Sequence, residues 1–111
     1  METRVVNLSN EKSLTVRELK VSDVTELYET EEGTRILVGV AAGLPGDVQR
    51  LLKKCVIDLS PEDFDAAVEG VSDYLKVEET FRELNEMFLT SLPERLKKMN
   101  ATADKFRGMM K

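Results

Sequence analysis

The stretch Cys55-Val56-Ile57-Asp58-Leu59-Ser60-Pro61-Glu62-Asp63-Phe64 decides how the chain is read. It ends one helix, turns, and starts another. Ser60 carries an oxygen suited to an orphan amide of the first turn, and Pro61 sits where a missing N–H costs nothing. Glu62 and Asp63 then face the positive end of the helix dipole. Beyond them Phe64, Val68, Val71 and Leu75 recur at helical spacing. Gly70 weakens a helix continued through that face, and Ser72-Asp73 could restart a new one.

Upstream of this start, Asp47 is expected to cap a helix with Val48, Leu51, Leu52 and Cys55 on one face. Arg50, Lys53 and Lys54 are then left in water near its C-terminal end. Thr34 to Ala42 could be a buried strand through Ile36-Leu37-Val38-Gly39-Val40. A helix is preferred, because Gly43 falls where a left-handed residue closes a helix and Pro45 follows. Ser22 is expected to cap a helix running to about Glu31, ended by Glu29-Thr30-Glu31-Glu32-Gly33. At the start of the chain, Arg4–Leu8 and Leu14–Leu19 flank a polar turn, Ser9 to Ser13, which predicts a β-hairpin. Two strands are marginal in water, so the hairpin must lie on helices or pair with a second copy.

The last third is the most periodic. Val77, Phe81, Leu84, Phe88, Leu92, Leu96, Met99, Ala103, Phe106 and Met110 step by three or four. Pro93 interrupts them, and Ser91 with Glu94 has capping-box spacing, which predicts a new helix start or a kink there. The expected architecture is therefore mainly α: a helical domain over 1–93 with an N-terminal hairpin, then an amphipathic helix or tail over 94–111. The stripe reads either as ordinary core or as an adaptable contact surface of Phe81, Leu84, Phe88, Leu92, Leu96, Met99, Phe106 and Met110.

The 111 residues carry a net charge of −5, which argues against general nucleic-acid binding. That charge is uneven. Residues 94–111 hold six Lys/Arg against Glu94 and Asp104, or +4, leaving −9 on 1–93. A basic end on an acidic body marks an interaction segment or a tail that contacts its own body. A small regulator touching nucleic acid through this segment is one alternative, although no Tyr or Trp is interleaved there for stacking. A homo-oligomer with the stripe buried between copies is another.

No apolar run approaches the roughly 20 residues that span a bilayer. Met1-Glu2-Thr3-Arg4 does not resemble a secretory signal, and one cysteine allows no internal disulfide, so a cytoplasmic protein is expected. Catalytic chemistry has little to work with. Histidine is absent, and Cys55 falls on an apolar helix face. The acids from Glu62 to Glu69 lack calcium-loop spacing, since the position that needs glycine is Val68. Gly39, Gly43 and Gly46 are not followed by Gly-Lys-Ser/Thr. No enzyme activity, cofactor or metal is expected.

The order of segments resembles the phage tail assembly chaperones over roughly residues 4–89. The likeness lies in the polar hairpin with Leu14-Thr15-Val16-Arg17-Glu18-Leu19 and in Val21-Ser22-Asp23-Val24 opening a helix. It continues through Leu51-Leu52-Lys53-Lys54-Cys55 and Leu59-Ser60-Pro61-Glu62-Asp63-Phe64 into Val68-Glu69-Gly70-Val71 and Tyr74-Leu75. The resemblance implies a small helical protein of the host cytoplasm that coats the tape measure protein, brings tail-tube protein to it, and leaves before the tail is finished. Some relatives also make a frameshifted longer product. The segment beyond Pro93 is longer and more amphipathic than this pattern implies.

Overall fold

A computed structural model describes the backbone of residues 1–109 and the side chains of residues 1–99. The hairpin forms as expected. Strand β1 (Thr3–Asn7) pairs antiparallel with β2 (Ser13–Arg17), with Val6 opposite Leu14 and Arg4 opposite Val16. Alternation puts Val6, Leu8, Leu14 and Val16 on one buried face. The outer edge of β2 is extended by the connector: the Arg17 amide donates to the Cys55 carbonyl at 2.8 Å, and the Ile57 amide to the Thr15 carbonyl at 3.1 Å. The stretch that ends one helix and starts the next thus also borders the sheet.

Three helices follow: α1 (Val21–Glu29), α2 (Glu31–Ala41) and α3 (Pro45–Lys54). Ser22 does not cap α1. The cap is Lys20, two residues earlier, because the Asp23 carboxylate accepts the Lys20 amide at 3.0 Å while held by the Arg17 guanidinium at 2.7 Å. The charged stretch ends α1 as expected: Thr30 is extended at φ −109°, ψ 149°, and its hydroxyl accepts the Gly33 amide at 2.9 Å, so that Glu31 to Gly33 form the first turn of α2. Residues 34–42 are helical as preferred, and Gly43 closes α2 at φ +77°, a conformation costly for any residue with a Cβ. Pro45 then opens α3, and Asp47 lies inside the first turn rather than capping it. Asp47 pairs with Arg50 at 2.7 Å and lies against Gly39, which is how closely α3 approaches α2.

Ser60 caps α4 (Pro61–Ala67), accepting the Asp63 amide at 3.2 Å. The face from Phe64 to Leu75 does not continue. Helix α4 stops where the Asn10 side chain takes the Ala67 carbonyl at 3.1 Å, and α5 (Val71–Leu84) restarts after Gly70. Phe64 is buried, while Val71 and Leu75 are 74% and 52% exposed. The inward face of α5 is instead Val77, Phe81 and Leu84, which packs against both strands.

The next break falls at Asn85, not at Ser91–Pro93. Helix α6 runs from Glu86 to Met109 with Pro93 inside it. Ser91 does not cap; its hydroxyl donates to the Phe88 carbonyl at 2.9 Å. The division expected at residue 93 therefore lies within one helix, and Leu96, beyond it, is buried in the common core.

Candidate interaction surface

The stripe read from the sequence separates into two environments. Phe81, Leu84, Leu92 and Leu96 are buried in the chain's own core cluster together with Leu14, Leu37 and Leu52. In this fold these four are core rather than contact surface. Phe88 is partly buried at the edge of that cluster, and Met99 is 41% exposed. Phe106 and Met110 lie outside the residues whose side chains are described. The reason is geometric: periodicity locates an apolar face but does not say which stretch of it meets another element first.

Asn85 organises the ground around α6. It is buried, its Oδ1 accepts the Leu19 amide at 2.8 Å, and its Nδ2 donates to the Phe81 carbonyl at 3.0 Å. It thereby ties the end of the hairpin to the junction of α5 and α6. Beside this tie is an open groove of about 710 Å³. Leu19, Val24, Leu84 and Phe88 line it, with Val21 on one wall and Met87 on the other. Val21 and Met87 are 84% and 89% exposed, the highest values among the large apolar side chains described. Glu2, Glu18, Glu83 and Glu86 also line the groove, with Arg95 as its cation. Arg4 pairs with Glu83 and reaches Glu2 at 4.0 Å, so Glu18 and Glu86 give the groove its acidic sign.

Sequence reasoning missed this groove because Val21 and Met87 stand off the main apolar stripe. Their joint exposure is visible only once α1 and α6 are brought together.

Cys55, Asp73 and Asp23 are shifted by their place in the fold. Burial pushes the Cys55 thiol up to about 12, and its side chain is fully enclosed, so it offers no thiolate at neutral pH. The Ser9 hydroxyl at 2.7 Å, helped by the Ser9 amide, holds the Asp73 carboxyl below its usual value. At Asp23 burial opposes ionisation, but the Lys20 amide and Arg17 outweigh it and lower the value. Among the described residues no group of three or more His, Cys, Asp or Glu side chains is placed to hold a metal ion. Nor is any helix among them long and apolar enough to cross a membrane. In comparisons with known proteins, no family model, curated protein or solved structure matches the chain.

Proposed function

We propose that the protein is a non-enzymatic assembly chaperone for the tail of a long-tailed phage or prophage, working in the bacterial cytoplasm. Its client would be a tape measure protein, to which it would bring tail-tube protein. The order of segments in the sequence supports this reading. The observation that carries it is the division of α6, anchored at Leu92 and Leu96 but continuing through Met99 to Met109. An anchored helix with an amphipathic end can lend apolar surface to a client helix, and an acidic body keeps the complex dissolved.

The client contact is assigned to Met99, Phe106 and Met110, since Leu92 and Leu96 serve the core. Co-expression with a long helical tape measure protein, followed by affinity capture, tests it. Capture that is lost in Met99→Asp/Phe106→Asp is the expected result. Capture unaffected by that double substitution would refute the surface, and failure to capture any tape measure protein would refute the function.

A further inference from the structure

We infer that the acidic groove between α1 and α6 receives the basic segment 100–111 of a second copy, joining chains head to tail. Two strongly exposed apolar side chains, Val21 on α1 and Met87 on α6, line it together with Leu19, Val24 and Phe88. This is the arrangement that accepts one apolar face of a helix. The rim then selects which helix: Glu18 and Glu86 favour an occupant with cations beside its apolar positions.

The chain contains such a sequence. Lys105-Phe106-Arg107-Gly108-Met109-Met110-Lys111 interleaves three cations with three apolar residues, against the single acid Asp104 in 100–111. It cannot reach the groove of its own chain. Phe88 lies in the groove, and α6 is continuous from Glu86 to Met109, so at 1.5 Å per residue position 106 stands about 27 Å further along the axis. Only another copy can supply the segment. Groove and segment are different surfaces, so the contact is heterologous and leaves one groove and one segment open at the ends of every open assembly. The association therefore grows with concentration, and its electrostatic part weakens with salt.

This inference goes beyond the client reading and is tested without a client. Sedimentation velocity of the full chain at low salt is expected to show a mass that climbs past the dimer with concentration and falls back when salt is added. Met87→Lys puts a cation on the groove wall against the basic segment, and Lys105→Glu/Arg107→Glu reverses the segment; each variant alone is expected to lose the larger species. Mixed in equal amounts, they should form a dimer and nothing larger, because one supplies the only working segment and the other the only working groove. Val21→Lys, on α1, replaces Met87→Lys if circular dichroism shows lost helix. A full chain that stays monomeric across the micromolar range would overturn the proposal. So would a mixture that stays monomeric, or variants that associate as the natural chain does.

Discussion

Replacing Asn85 with alanine should weaken the fold through one identifiable group. Asn85 makes two side-chain hydrogen bonds, to the Leu19 amide at 2.8 Å and the Phe81 carbonyl at 3.0 Å. These bonds are unequal in consequence. The Phe81 carbonyl keeps a partner when the side chain is removed, since the Asn85 backbone amide also donates to it at 3.1 Å. The Leu19 amide has no other partner among the described residues. A part-buried donor left without an acceptor costs about 1–3 kcal/mol, so a loss of about 2 kcal/mol is expected. In a domain of this size that lowers the melting temperature by roughly 8 °C. Urea unfolding gives the free energy, and amide hydrogen exchange locates it. The Leu19 amide should be protected in the natural chain and should exchange far faster in Asn85→Ala. A loss below about 0.5 kcal/mol, within the range of ordinary surface substitutions, would refute the reasoning. Unchanged protection at Leu19 would do the same.

Three further expectations follow from particular contacts. The Asp73 carboxyl is held below its ordinary value of 3.8 by Ser9, so its stabilising contribution is complete above that value and is lost as pH falls through the depressed one. The stability gap between the natural chain and Asp73→Asn, measured by urea unfolding at several pH values, should therefore be widest near neutrality and narrow in acid; a constant gap would contradict this. The Tyr28 hydroxyl is buried without a hydrogen-bond partner among the described residues, so Tyr28→Phe should leave stability unchanged or raise it by up to about 1 kcal/mol, as thermal unfolding would show. Gly39→Ala should destabilise by about 1–3 kcal/mol, because its Cβ would stand 1.7 Å from the Asp47 carboxylate. Gly46→Ala in the open first turn of α3 should instead stabilise by about 0.5–1 kcal/mol, so calorimetry should move the two variants in opposite directions.

Much of the fold was legible because the signals were local. The hairpin, the Ser60 cap, the left-handed Gly43 and the buried face Val48–Leu51–Leu52–Cys55 each depend on residues a few positions apart. The boundaries that were misread share a different cause. Ser22 and Ser91 have good capping chemistry, yet α1 starts at Val21, with the Asp23 carboxylate on the Lys20 amide, and α6 starts at Glu86, just after Asn85. Asp23 is also held by Arg17 of β2, and Asn85 reaches Leu19, 66 residues away, contacts between elements that no capping rule includes. Likewise Ser9, 64 residues away in sequence, holds Asp73 in the first turn of α5.

By itself the amino-acid sequence determined a mainly helical chain with a hairpin at its start, an acidic body and a basic, apolar end. Composition, periodicity and turn chemistry are properties of neighbouring residues, and they survive without knowledge of the fold. Only the tertiary structure decided which part of the long stripe is core. Leu92 and Leu96 are enclosed because α6 packs back on α2, whereas Met87, at the start of the same helix, faces outward. Burial depends on which elements meet. The groove shared by Val21 and Met87 exists for the same reason, since the two residues are 66 positions apart and meet only when the chain is folded.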